Sequence, residues 1–147
     1  MKIYLDACCL NRPFDDQVQV RIRLEAEAVL FILGSFETGS WEWISSEVLQ
    51  AEINRTPDTE RKSRVRSLFE RAHNVIQLQS VDLARAEQIM KFGFKGMDSL
   101  HIACAERAEC DVFLTTDDRL LAASERCAMD LHIRIANPMK WLDEVIK

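Results

Sequence analysis

Two short apolar runs in this chain end in acids. Ile3-Tyr4-Leu5 leads into Asp6, and Val112-Phe113-Leu114 leads through Thr115-Thr116 into Asp117 and Asp118. Such runs read as internal strands of a parallel sheet. Parallel strands present their carboxyl ends on one side, where open α/β sheets bind ligands. Asp6 and Asp117 are therefore expected to converge across most of the chain. Asp98 stands at the entrance of a helix that Leu100, Ile102, Ala103, Cys104, Ala105 and Ala108 leave apolar nearly all round, the mark of a buried helix. Carboxylates that meet raise each other's pKa unless a cation neutralises them. Ligands that are all oxygen point to Mg²⁺ or Mn²⁺. Each acid alone is explained by a cap or a turn; acids at both strand ends, flanking one at a buried helix, favour a site.

A fourth acid comes from the helix expected after Trp41-Glu42-Trp43-Ile44. At about 100° per residue, Glu47, Gln50 and Asn54 share a polar face, while Val48, Leu49 and Ile53 define the opposite arc. Glu52 falls inside that apolar arc, where an ionised carboxylate is costly unless paired or metal-bound. Glu47, in the first turn, is simply favourable at a helix N-terminus.

The elements that must position these acids alternate along the chain. Apolar spacing predicts a helix over 17–36, with Ile22, Ala26, Val29, Leu30 and Leu33 as its stripe and Leu24, Ala28 and Phe31 widening it. The stretch 7–16 reads as a turn-rich connection. Ser45 or Ser46 caps the Glu52 helix, and Pro57 starts the next, over 59–71. A third strand is placed at 75–78, a helix over 80–92, a last strand at 133–135, and Asn137-Pro138 opens a closing helix. Alternating strands and helices indicate an α/β class with a parallel sheet.

Length and composition set the outer bounds. One domain spanning 1–147 is the natural count, and 48% apolar with 29% charged residues is ordinary for a globular protein. No run approaches eighteen apolar residues and the N-terminus reads as a strand, so a cytoplasmic chain with no membrane role is expected. Five cysteines without a C-x-x-C pair argue for reduced thiols rather than zinc or a disulfide framework. The net charge of −5 argues mildly against nucleic acid, yet acids gathered at one site would inflate it. From Asn54 to His73 six cations stand against three acids. Arg61, Lys62 and Arg64 there are candidate phosphate contacts, the bland alternative being a solvated helix face.

Taken together, an Asp ending the first strand, a Ser-started helix with an inner Glu, an Asp-x-x-x-Ala-x-Ala-like helix and a Thr-x-Asp after a strand resemble the PIN-domain family. The likeness runs from Lys2 to about Trp141 and extends to the small toxin nucleases of VapBC-type toxin–antitoxin pairs. It implies a three-layer α/β/α sandwich with a short central parallel sheet. It also implies that Asp6, Glu52, Asp98 and Asp117 hold one or two Mg²⁺ or Mn²⁺ and hydrolyse RNA, with Thr115 near a carboxylate or phosphate oxygen. An antitoxin partner and a homodimer follow from the same resemblance. Cys8 departs from the Ser or Asn many members carry two residues after the first acid, and Asp118 competes with Asp117 as fourth ligand. A non-cleaving PIN fold that binds RNA or protein and a Mg²⁺-dependent phosphatase are the alternative readings. A Ser99-His101-Asp98 triad is disfavoured, since residues so close in sequence do not converge as a triad needs and no G-x-S-x-G elbow is present.

Overall fold

The computed structural model describes residues 1–146. The strands are β1 (Lys2–Leu5), β2 (Glu42–Ser46), β3 (Asn74–Ile76), β4 (Val112–Leu114) and β5 (Arg134–Ala136). The helices are α1 (Ala7–Asn11), α2 (Val20–Glu37), α3 (Glu47–Asn54), α4 (Thr59–Phe69), α5 (Ser80–Lys91), α6 (Gly96–Arg107), α7 (Asp118–Arg126) and α8 (Pro138–Val145), with a 3₁₀ turn at Arg12–Phe14. The strands form one sheet in the order β3-β2-β1-β4-β5, and every pairing is parallel. Chain direction across the sheet reverses at β1 and β4, which pair through Leu5 and Leu114. That reversal opens a crevice at their carboxyl ends.

Alternation along each strand sorts the core into two clusters, as the period of two requires. Ile3, Leu5, Trp43, Val112 and Leu114 pack with Val29, Ile32, Leu49, Val65 and Trp141 on one face. Tyr4, Ile44 and Phe113 pack with Ala86, Ile89, Ile102 and Leu120 on the other. The expected α/β/α sandwich is thus observed, and α6 is buried as its composition predicts.

Local boundaries differ in instructive ways. The turn-rich connection after Asp6 contains α1 and the 3₁₀ turn. Pro57 does not start α4; Asp58 does, accepting hydrogen bonds from the Glu60 and Arg61 amides. In α2 the buried stripe is rotated: Leu24, Leu30 and Phe31 are exposed, while Glu25 is fully buried. The reason is a charge network that spacing alone does not show. Glu25 takes Arg12 Nε at 2.9 Å and Arg21 Nε at 3.3 Å, and accepts from Asn137 Nδ2 at 2.5 Å. Asn137 also caps α8, so one buried carboxylate joins α2, the 3₁₀ turn and the start of α8.

Removing one member of a buried ion pair leaves the other uncompensated. Glu25→Ala is expected to lower unfolding stability by roughly 3 kcal/mol or more, read from the urea midpoint. Asp118→Asn, at an exposed ion pair with Arg21, should leave the midpoint unmoved.

Candidate metal centre

Asp6 is set where β1 passes into α1. Its Oδ1 accepts from the Ala7 amide at 2.8 Å and caps α1. Its Oδ2 accepts from Thr115 Oγ1 at 2.8 Å, and the Cys8 thiol donates to the same oxygen at 3.4 Å. Glu52 projects from α3, whose first turn is capped by Ser46 Oγ accepting from the Leu49 amide at 3.3 Å. Glu52 Oε2 lies 3.2 Å from His101 Nε2 on α6. Asp6, Glu52 and His101 each offer one ligand atom within 4.8 Å of the others.

Asp98 and Asp117 border this group without joining its tightest set. Asp98 occupies the first turn of α6, three residues before His101 and hence on the same face. Asp117 caps α7, its Oδ1 accepting from the Arg119 amide at 2.9 Å. The two line one cleft of about 340 Å³ together with Phe94, Lys95, Arg119 and Arg126. A larger hollow of about 650 Å³ lies at the amino ends of β1 and β2, beside Lys2, Glu42 and Asp111. That is the sheet end where this fold type does not place its chemistry.

The electrostatics separate these acids from every other buried acid. Glu25 and Asp82 are as buried as Asp6, but arginines neutralise them: Arg12 and Arg21 on Glu25, and Arg107 on Asp82 at 2.7 Å. Among the described residues Asp6, Asp98 and Asp117 have no such partner. Burial pushes the Asp6 carboxyl up, with Glu52 adding to the rise and the hydrogen bonds from Thr115 and the Ala7 amide opposing it. Asp98 is pushed up to about 6, first by burial and then by Asp6, Asp117 and Glu52. Like charges held together partly out of water are relieved by a proton or by a cation, and a carboxylate-rich donor set suits a divalent one.

Other sequence-derived candidates fall in distinct places. Thr115 is fully buried and its hydroxyl donates to Asp6, while accepting from the Asp117 amide at 3.1 Å. Both Asp118 oxygens are held by Arg21 at 2.7 Å, which lowers the Asp118 pKa. Glu47 faces away and accepts from the Leu78 amide at 2.5 Å. Cys8 takes the bonding pattern of a hydroxyl, its sulfur accepting from the Thr116 amide at 3.2 Å. On α4, Arg61 reaches Asp15 at 2.8 Å and the Phe14 carbonyl at 2.9 Å. Arg64 pairs with Glu60 and lies over the Phe14 ring. Lys62 makes no ion pair among the described residues.

Residue spacing did not single out Tyr4, Lys95, Arg119 or Arg126, and it brought up His101 only as a member of a disfavoured triad. His101 carried a further signal, since its position three after Asp98 puts both on one helix face. Tyr4 faces α6 because its strand alternates. The three cations are scattered in sequence and meet only because α7 and the loop before α6 flank one cleft.

This chain belongs to the PIN-domain family: the family model described as PIN domain matches residues 3–125. No curated protein matches it. Among solved structures it is similar to a chain in the crystal structure of VapBC2 from Rickettsia felis bound to a DNA fragment from their promoter. The TM-score is 0.57 at 11% identity, over 93% of this chain and 98% of that one. The likeness is one of fold, and it agrees with the resemblance read from the residues.

The raised Asp98 pKa sets a pH window. Its folded value of about 6 exceeds the ordinary 3.8, so between them the folded state keeps a proton that the unfolded state has lost. Its contribution to stability is full below the lower value and lost as pH rises through the upper. Without metal, Asp98→Asn is expected to melt above the parent at about pH 7.5, the gap closing towards about pH 4. In the parent, Mn²⁺ affinity measured by calorimetry should fall as pH drops through about 6, because the ion must displace that proton.

Proposed function

We propose that this chain is a divalent-metal-dependent endoribonuclease acting as the toxin of a toxin–antitoxin pair. The observation that carries this reading is the meeting of Asp6, Glu52 and Asp98, with Asp117 beside them, at the carboxyl ends of β1 and β4, where no arginine or lysine among the described residues pairs with any of them. Asp6, Glu52, Asp98 and Asp117 would hold Mg²⁺ or Mn²⁺. An ion held by them would supply a water of lowered pKa and positive charge to offset the negative charge developing at the phosphorus. Thr115 and the Ala7 amide keep the two Asp6 oxygens in place. Asp117, capping α7, is oriented by backbone amides rather than by a mobile side chain.

Substrate phosphates are proposed to lie along the cleft that Asp98 and Asp117 share with Lys95, Arg119 and Arg126, which make no ion pairs among the described residues. Lys62 and Arg64 would extend this path, since α4 packs against α1 and α3. Arg61 would act mainly by fixing the 3₁₀ turn through Asp15. Similarity to a VapBC2 chain supports an antitoxin partner, while a homodimer rests on the family resemblance alone. The exposed Val20, Leu24, Leu30 and Phe31 of α2 give an apolar face for a partner to cover. No described helix is long and apolar enough to cross a membrane, in keeping with a cytoplasmic role.

Asp6→Asn, Glu52→Gln and Asp98→Asn are each expected to slow cleavage of a labelled RNA about a hundredfold or more. EDTA should abolish parental activity, and a chromogenic phosphomonoester should go unhydrolysed. EDTA-resistant cleavage retained in full by all three variants would reject the site; phosphomonoester turnover without RNA cleavage would favour a phosphatase.

Reversing Lys95, Arg119 and Arg126 to Glu should weaken RNA binding and flatten its salt dependence, by about 0.7 in log–log slope for each phosphate no longer neutralised. The Lys62→Glu/Arg64→Glu pair should produce a smaller change. A larger effect from the α4 pair would move the substrate path to that face.

A further inference from the structure

We propose that His101 is a positioning residue that presents Glu52 to the metal as a hydrogen-bond donor and is not itself a metal ligand. This rests on the reading of Asp6 and Glu52 as cation-holding residues. The observation is an unbroken chain of buried polar contacts. The Leu49 amide lies 3.3 Å from Ser46 Oγ, Ser46 Oγ 2.6 Å from the Tyr4 hydroxyl, Tyr4 2.7 Å from His101 Nδ1, and His101 Nε2 3.2 Å from Glu52 Oε2. Ser46, Tyr4 and His101 are fully buried, so bulk water cannot stand in for a missing partner.

Counting hydrogens fixes the direction of every link. A backbone amide only donates, and an ionised carboxylate only accepts. Between these ends stand two hydroxyls and one imidazole; a second ring hydrogen, on Nδ1, would turn the Tyr4 link round and leave the Ser46 hydrogen without a partner, so each of the three has one hydrogen to give. Four links therefore have four hydrogens, provided all point the same way. The amide donates to Ser46, Ser46 to Tyr4, Tyr4 to Nδ1, and Nε2–H to Glu52. The opposite tautomer leaves Nε2 and Oε2 facing each other as two acceptors, and it deprives the Ser46 hydrogen of its partner. Tyr4 is held for this role: its ring stacks on Phe113 at 5.2 Å, and burial raises its pKa well above the ordinary value, so the hydroxyl keeps its proton.

The consequence concerns the metal. His101 offers a ring nitrogen within 4.8 Å of the Asp6 and Glu52 ligand atoms, and taken by proximity alone it would add an imidazole ligand and favour Zn²⁺ or Ni²⁺. With a hydrogen on Nε2 the donor set stays all carboxylate, which suits Mg²⁺ or Mn²⁺. Ser46 serves twice, capping the helix that carries Glu52 and orienting the tautomer that holds its carboxylate.

The tautomer is read directly by ¹⁵N NMR of the histidine-labelled chain without metal, the His101 signal being assigned by its loss in His101→Gln. The expected result is an unprotonated, hydrogen-bonded Nδ1 and a protonated Nε2; a proton on Nδ1 overturns the proposal. Electron spin echo modulation of bound Mn²⁺ should show no directly ligated nitrogen, and a coupling of the size of a ligated imidazole overturns it too. Tyr4→Phe, a folded-state-preserving change to be checked by circular dichroism, should weaken Mn²⁺ binding about tenfold or more. Its kcat should fall while KM for RNA stays within about twofold. His101→Gln, whose amide can still donate to Glu52, should retain more Mn²⁺ affinity than His101→Ala. Equal loss in these two, or unchanged Mn²⁺ affinity in Tyr4→Phe, overturns the proposal. Failure of the parent to cleave RNA would reject the proposed activity while leaving the tautomer and Mn²⁺ results to decide this inference.

Discussion

The burial of Asp6 at the carboxyl end of β1, beside Asp98 and Glu52 and with no arginine to answer it, is the constraint on which the rest of this structure depends. Elsewhere the fold never leaves a buried acid alone: Glu25 and Asp82 each meet arginine. Glu106, nearly buried, meets Arg85. At the strand ends the opposite is done. Asp6 is surrounded by neutral donors, namely a backbone amide, a threonine hydroxyl and a cysteine thiol. Such groups orient a carboxylate without cancelling its charge. The arrangement carries an unfavourable electrostatic term that a bound cation would relieve.

That economy of charge also explains what the basic segment does. Its cations form a clear excess in sequence, yet several are already engaged. Arg61 closes on Asp15, Arg64 on Glu60 and Arg71 on Glu37. The cations lining the cleft beside Asp98 and Asp117 come instead from the loop before α6 and from α7. A surface for phosphate is thus better located by asking which cations lack an acid than by counting them along the chain. The cysteines show a related contrast. All five are free, and burial pushes the Cys104 and Cys110 thiols up to about 12, which makes them inert apolar filling. Cys8 alone enters the polar framework of the site, where its thiol bonds to Asp6 and Thr116 as a small hydroxyl residue would.

The sheet itself determines which groups can cooperate. Because β1 is central, its alternate side chains feed both layers. Ile3 and Leu5 fill one core, while Tyr4 enters the other and meets His101. Asp6, the next residue, leaves the strand and caps α1. A single strand therefore contributes a charge at its end and a hydroxyl two residues inside.

Period and punctuation in the amino-acid sequence were enough to determine the parallel α/β class, the buried character of α6, the strand ends carrying Asp6 and Asp117, and the inward bearing of Glu52. These depend on local geometry, which side-chain spacing reports directly. Tertiary structure alone decided the rest. Glu25 could lie in the buried stripe of α2, displacing Leu24, Leu30 and Phe31 to the surface, only because Arg12, Arg21 and Asn137 arrive from other elements. Arg21 removes Asp118 from the acid group, and Asp15 takes Arg61 from the basic face. The link from Ser46 through Tyr4 and His101 to Glu52 joins four elements, β2, β1, α6 and α3, drawn from distant parts of the chain. Periodicity tells which way a side chain points; whether a charge or hydroxyl finds its partner there depends on what the other elements bring, and hydrogen bonds and ion pairs are set by distances that only the folded chain defines.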